Sequence, residues 1–379
     1  MTTLPTLGKT WSEHNRMMKE QKKKRKEEQL MKQLEKETKK CQESEIINPA
    51  SEYDKMNIST LSIAVPGSIL DNAQSPELRT YLAGQIARAA CIYKIDEIIV
   101  FDDQGDITEP EKKKMKKDEQ LGEARLGCLQ LGRILQYLEC PQYLRKYFFP
   151  LHKDLQYAGV LNPLDAPHHL RQQDASLFRE GVVTNKPIKP GKGSQVNVGL
   201  LQDVEVDKTL TSGLRVTVRI PPDQNTKKLK GTIVSPDTPK KEVGLYWGYN
   251  VRLASNISEV FSKCPYDKGY DLTIGTSDKG KSVDDLEVKS LQYHHGLIVF
   301  GGVAGLEAAV EADPLLDVED TPLVFNEYLN TCPNQGSRTI RSEEAILVSL
   351  AELRTKLSPI YPSKFNLQFP NLNNSCEKN

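Results

Sequence analysis

Thr331-Cys332-Pro333-Asn334-Gln335-Gly336-Ser337-Arg338-Thr339-Ile340-Arg341 is the stretch on which the fold is read. An apolar run, Leu323 to Leu329, leads into it, and a helical pattern, Ser342 to Leu353, leads out. Its Pro, Gly, Asn, Ser and Thr residues predict an irregular backbone with exposed donors and acceptors. Strand, polar glycine-bearing loop, then helix is how an α/β protein presents a nucleotide-like ligand at the carboxyl end of its sheet. Two other stretches repeat the pattern. Asp271 to Ile274 reads as a strand ending in Gly275-Thr276-Ser277, and Leu297 to Phe300 as one ending in Gly301-Gly302. Side by side, the three strands gather their small-residue loops at one edge.

Upstream, Thr60 to Val65 is a short β-favouring run stopped by Pro66-Gly67, and Ser68 to Gln74 follows as a loop. Ser75 is placed to cap a helix, with Pro76 at its first position and Glu77 in its first turn. Leu78, Leu82, Ile86, Ala89 and Tyr93 then form one apolar stripe. Glu97 to Phe101 reads as a buried strand ending at Asp102-Asp103, so the segment is a βαβ unit. Gly122 to Leu138 reads as a further helix ended by Pro141, and Tyr143, Tyr147, Phe148 and Phe149 as core aromatics.

From Arg179 to Ser255 helical periodicity gives way to short alternating runs: 181–183, 195–200, 204–206, 214–220, 231–234 and 248–253. Glycine- and proline-bearing turns separate them, which predicts a small antiparallel barrel inserted between two α/β segments. This segment holds thirteen Lys/Arg and seven Asp/Glu, a net of +6. A small basic barrel fits an oligonucleotide-binding (OB-like) module, and a β domain with a solvated lysine face is the competing reading. Predicted organisation is a charged tail over 1–55, α/β material over 56–178, the barrel over 179–255, α/β material over 256–360 and a tail over 361–379.

The 379 residues are 38% hydrophobic and 27% charged, which suits two or three domains around a sizeable core. Net charge is formally zero. It is unevenly spread, for residues 1–45 carry twelve Lys/Arg and eight Asp/Glu. Within that tail, Lys22-Lys23-Lys24-Arg25-Lys26 reads either as a nuclear address or phosphate-binding arm, or as part of a solvated charged helix. The seven cysteines are odd in number and contain no Cys-x-x-Cys, which predicts reduced thiols in the cytosol or nucleus. No apolar run is long enough to span a bilayer, so no membrane partner is expected. Adjacent His168-His169 make a poor metal site with no third ligand nearby, so no metal is expected, and the pair reads as a loop buttress or an RNA contact.

No Gly-x-x-x-x-Gly-Lys-Ser/Thr cradle, Gly-x-Ser-x-Gly elbow or His-Glu-x-x-His is present, and Gly301 to Glu307 lacks dinucleotide-binding spacing. A nucleotide-dependent oxidoreductase or NTPase therefore finds no motif. Pro66 to Ser75, Ile274 to Ser277, Val299 to Gly302 and Asn334 to Ala345 together resemble the SPOUT superfamily of trefoil-knot RNA methyltransferases. The resemblance spans roughly Ser59 to Leu357, includes the inserted barrel, and is closest to the eukaryotic branch also described at the centromere and spindle.

It implies an α/β SPOUT fold with a parallel sheet and a knot, S-adenosylmethionine as cofactor (S-adenosylhomocysteine as product), and a homodimer. The implied substrate is RNA, with a uridine base of large-subunit rRNA expected. The implied places of action are nucleus, nucleolus and cytoplasm, with centrosome, spindle and kinetochore in mitosis, and spindle or kinetochore proteins are implied partners. A non-catalytic RNA-binding or spindle scaffold is the alternative; the intact Gly301, Gly302 and Gly336 favour the enzyme. Carried onto this chain, the cofactor loops are Thr276 and Ser277, Gly301 and Gly302, and Asn330, Thr331, Asn334, Gln335, Gly336 and Thr339. Asn72, Arg79, Arg88 and Arg341 are expected at the target nucleotide, a surface ion pair being the competing reading for Arg79 and Arg88. Lys189, Lys192, Arg215, Arg219, Lys227, Lys228, His168, His169 and Arg171 are the candidate RNA contacts.

Overall fold

Local signals in the first βαβ unit set its geometry. In the computed structural model, which describes residues 58–105, 125–188, 192–221, 229–316 and 321–360, strand β1 is Thr60–Pro66. The Ser75 side chain accepts from the Leu78 backbone N–H and opens helix α1, Pro76–Ile92. Leu82, Ala83, Ile86, Ala87, Ala89 and Ala90 are its buried face. Leu78, expected at the head of the stripe, is instead 51% exposed, because α1 turns its first two turns to solvent as well as to the core. Strand β2, Glu97–Phe101, is buried throughout and runs parallel to β1. Helix α2, Leu126–Glu139, packs beside α1, and α3, Gln142–Phe148, follows it.

Five strands then close the barrel: β3 (Phe178–Val183), β4 (Gln195–Asn197), β5 (Val204–Val206), β6 (Arg215–Arg219) and β7 (Lys230–Val234), in the cyclic order β3-β4-β5-β7-β6. That Greek-key closure is the oligonucleotide-binding arrangement. The β5–β7 pair is parallel, where an all-antiparallel barrel was expected. Val183, Val196, Val198, Val204, Val206, Val216, Val218 and Ile220 fill its interior. Each β-branched side chain buried there contributes about 1.5–3 kcal/mol.

The sixth alternating run does not join the barrel. After the short helix α4 (Thr238–Val243), strand β8 (Asn250–Ala254) pairs in parallel with β2. Arg252 adds to this pairing: its Nε donates to Glu97 Oε1 at 2.8 Å on the neighbouring strand. Helix α5 (Ile257–Ser262), β9 (Leu272–Ser282), β10 (Leu291–Tyr293), β11 (His295–Val299), α6 (Gly305–Glu311), β12 (Glu327–Asn330), α7 (Ser342–Lys356) and β13 (Leu357–Pro359) complete the described chain. The main sheet is parallel, in the order β12-β9-β11-β1-β2-β8.

β11 and β12 therefore flank β9 on opposite sides, and the chain recrosses β9 to reach its last sheet strand, as the knotted SPOUT half requires. Two expected boundaries shift. β9 continues past Gly275 to Ser282, and Gly280 lies so close to β12 that an added Cβ would sit 2.5 Å from the Leu329 carbonyl carbon. Leu323 to Leu329 is a strand only from Glu327, since a 3-10 turn, Thr321–Val324, built around Pro322, precedes it. The basic tail, the lysine-rich loop around 112–117, Lys189, Lys227, Lys228 and residues 361–379 lie outside the described residues.

Candidate active site

A parallel sheet brings the carboxyl ends of its strands to one edge, and the loops meet there by specific bonds. After β1 the chain makes a 3-10 turn, Gly67–Asn72. The Ser68 hydroxyl donates to Asp103 Oδ2 at 2.6 Å, joining this turn to the end of β2. Gly302, after β11, lies against both: a Cβ there would be 2.5 Å from Asp103 Oδ2 and 2.9 Å from Ser68 Oγ. A side chain there would force the Ser68 and Asp103 side chains to shift. The Thr276 hydroxyl donates to the Val299 carbonyl at 3.1 Å, binding the β9 loop to the end of β11. Ser277 Oγ donates to Glu307 Oε1 at 3.4 Å, and Lys279 Nζ stands 3.0 Å from the same carboxylate.

The last loop is anchored likewise. Asn330 Nδ2 donates to the Asp278 carbonyl at 3.1 Å, and its Oδ1 accepts from the Cys332 N–H at 3.1 Å. Thr331 is buried and shares a 2.6 Å hydrogen bond with Ser349 on α7. The side chains of Thr276, Asn330 and Thr331 thus shape the loops, and main-chain groups are left to meet a ligand. Asn334 takes the left-handed conformation at φ 57°. Gly336 does not, and nothing lies within 4 Å of its notional Cβ. Asn334, Gly336, Ser337, Arg338 and Thr339 are exposed and Gln335 half-buried. A cradle that a Cβ would fill, ringed by short polar loops, fits an adenosine-bearing cofactor held by main-chain hydrogen bonds.

Of the residues expected at the target nucleotide, Asn72 is exposed at the end of its turn. Arg79 stands 3.8 Å from the Asp71 carboxylate, close to the same edge. Arg88 does not belong with them. It lies about 14 Å further along α1, and its guanidinium donates to the Pro163 and Leu164 carbonyls, bracing a loop. Arg341 is exposed at the start of α7, and its backbone N–H donates to Glu344 Oε2 at 3.2 Å.

Ser68 and Asp103 were missed, although an acidic pair ending a wholly buried strand was in view. Asp102 accepts two bonds from Arg125 Nε, at 2.8 and 3.0 Å. Burial pushes both carboxyls above the usual aspartate range, against the hydrogen bonds each receives.

Several candidate RNA contacts are instead engaged within the protein, His168 buried and His169, Arg215 and Arg219 half-buried. Arg215 donates to Glu139 through both terminal nitrogens at 2.7 and 2.9 Å and to Glu180 through Nε at 2.8 Å. Trp247 Nε1 and Thr217 Oγ1 also donate to Glu180, at 2.6 and 2.5 Å. His168 is fully buried, and the Nε2 atoms of His168 and His169 meet the Glu139 carbonyl at 2.8 and 2.7 Å. Burial alone would raise the Glu139 carboxyl; hydrogen bonds from His168 and Arg215 outweigh it and hold it at about 2. Arg219 is paired with Glu242 and lies over the Phe178 ring. These residues lock the barrel onto α2. Lys192, 3.4 Å from Glu205, and the exposed Arg171 remain at the surface.

A family model described as "Putative RNA methyltransferase" matches residues 60–353, the span that holds the sheet, its loops and the barrel. The chain is 54% identical over 357 residues to a Drosophila melanogaster protein named 28S rRNA (uridine-N(3))-methyltransferase, covering 93% of this chain and 73% of that one. Mus musculus and Homo sapiens proteins of the same name are 58% and 55% identical, over 79% and 81% of this chain and 77% and 81% of theirs. With its parallel sheet, recrossed β9 and inserted barrel, the chain belongs to this family of SPOUT-type RNA methyltransferases.

Proposed function

We propose that this protein transfers a methyl group from S-adenosylmethionine to N3 of a uridine in large-subunit ribosomal RNA, working as a homodimer. The observation that carries the reading is the identity of 54–58% to three proteins named for that reaction. The carboxyl-edge loops would hold the cofactor through the backbone around Gly301, Gly302 and 331–339. When bound, that cofactor supplies a methyl group already activated by its sulfonium, so the chain's own work is to align the acceptor and manage one proton. Asn72, Arg79 and Arg341 would meet the nucleotide.

RNA would be gripped by the barrel. In barrels of this topology the first-to-second and fourth-to-fifth strand loops bind oligonucleotides. Here these loops are 184–194 and 220–229, which hold Lys192 and, by sequence, Lys189, Lys227 and Lys228. A groove lined by Lys192, Gly193, Pro221 and Lys230 lies between them. A ribosomal substrate puts the work in the nucleus or nucleolus. Incubation with S-adenosylmethionine and large-subunit rRNA lacking the modification, followed by nucleoside mass spectrometry, is expected to yield 3-methyluridine. Methylation of another nucleoside, or of transfer RNA alone, would overturn the assignment.

A further inference from the structure

The reaction needs a group to take the N3 proton, and the residues carried over by resemblance offer only amides and guanidiniums. Five carboxylates stand at or beside the carboxyl edge. Asp71 faces Arg79 at 3.8 Å, Asp102 is held by Arg125, and Glu307 by Lys279. Asp278 is exposed and next to Lys279. Asp103 differs: among the described residues it makes no ion pair. Its Oδ2 accepts from Ser68, and its Oδ1 is buried with no hydrogen-bond partner. A buried, unpartnered carboxylate oxygen costs about 1–3 kcal/mol or more and calls for an explanation.

The position supplies one. Oδ2 lies against Gly302 of the cofactor cradle, and the next residues, Val303 and Ala304, are exposed. Gly302 belongs to a loop proposed above to hold the cofactor, so the carboxylate stands beside that loop.

We propose that Asp103 is the proton acceptor for N3 of the target uridine, an inference that rests on the function proposed above. The N3–H bond breaks and its proton passes to the Asp103 carboxylate. The electron pair left on nitrogen forms the N3–CH3 bond as the sulfonium C–S bond breaks, and the carboxylic acid later releases its proton to water. Ser68 is a positioning residue: its hydroxyl holds Oδ2 and so aims Oδ1. Burial raises the carboxyl's basicity. Asp102 beside it, Arg125 just before α2 and Cys128 on α2 face the same space; Arg125 is directed to Asp102, and burial keeps the Cys128 thiol protonated, pushed up to about 12.

Asp103→Asn keeps the shape and the Ser68 hydrogen bond. Single-turnover methyl transfer to rRNA is expected to fall by about 100-fold or more. S-adenosylhomocysteine affinity by calorimetry, RNA affinity by mobility shift and the melting temperature should all stay at wild-type values. The acid limb of the wild-type pH–rate profile should vanish, and the variant's rate should climb in the alkaline range where uridine ionises unaided. Ser68→Ala should keep that acid limb and lose less rate. An Asp103→Asn rate equal to wild type, or a loss matched by weaker cofactor binding with the acid limb intact, would overturn the assignment. A wild type that makes no 3-methyluridine would overturn the proposed function itself; one that makes it while Asp103→Asn does too would overturn this inference alone.

Discussion

At the scale of single residues, the cradle is built from absences of side chain and from hydroxyls already bonded. A methyl group at Gly302 would displace the Asp103 and Ser68 side-chain oxygens, both within 3 Å of its notional Cβ. Overpacking of this kind costs about 1–3 kcal/mol. Gly302→Ala is therefore expected to weaken S-adenosylhomocysteine binding by about tenfold or more, measured by calorimetry. Gly336→Ala has open space around it and should leave the melting temperature unchanged. Thr331 tests the other device. Thr331→Val strands the Ser349 hydroxyl in the interior, so stability in a urea titration should fall by about 1–3 kcal/mol. A variant as stable as wild type would mean that the loop is not tied to α7 through this bond.

Among the elements, what the sequence made legible was local. Ser75, Pro76 and Glu77 announced α1, and alternation announced the five barrel strands, because caps and periodicity depend on near neighbours. The run at 248–253 alternates just as well, yet its partner is β2, with Arg252 reaching Glu97 across 155 positions. For His168 and His169 the choice between loop buttress and RNA contact, and for Arg215 its inward engagement, turn on a distant partner: Glu139 lies 29 to 76 residues away. That junction joins α2 to the barrel and can be tested as a unit. Removing one partner of a buried ion pair costs about 3–5 kcal/mol, so Glu139→Gln should lower the unfolding free energy by about that much in denaturant titration. Its pH dependence has a definite sign. Glu139 is held at about 2, below its usual 4.5, so its contribution is present above pH 4.5 and lost as the pH falls towards 2. His169 is lowered to about 4 from 6.5, chiefly by burial, so the unfolded chain binds its proton first and stability again falls as the pH drops from 6.5 to 4. These two groups thus add a fall in melting temperature below pH 6.5, and Glu139→Gln should flatten only the part of it below 4.5.

For the whole molecule, the surface of the fold core carries the remaining question. Leu78 and Tyr81 on α1 are 51% and 42% exposed, and Leu347 on α7 is 44% exposed. These helices pack side by side next to the carboxyl-edge loops. Isolated exposed apolar residues are ordinary, but large ones on two adjacent helices beside a candidate site are what a homodimer would cover. Two copies meeting there would also bring the Asn72 turn and Arg341 of one protomer near the interface, which would make catalysis depend on assembly. Leu78→Glu with Tyr81→Glu places two charges on this face without touching the core. In sedimentation equilibrium the wild type is expected to run at twice the chain mass and the double variant at the chain mass. Methyl transfer should fall with the dimer, while the melting profile keeps its shape and the barrel still binds RNA. A double variant that sediments as the wild type does, or a monomer that transfers at full rate, would mean that α1 and α7 face solvent in the working enzyme and that one protomer holds the complete site.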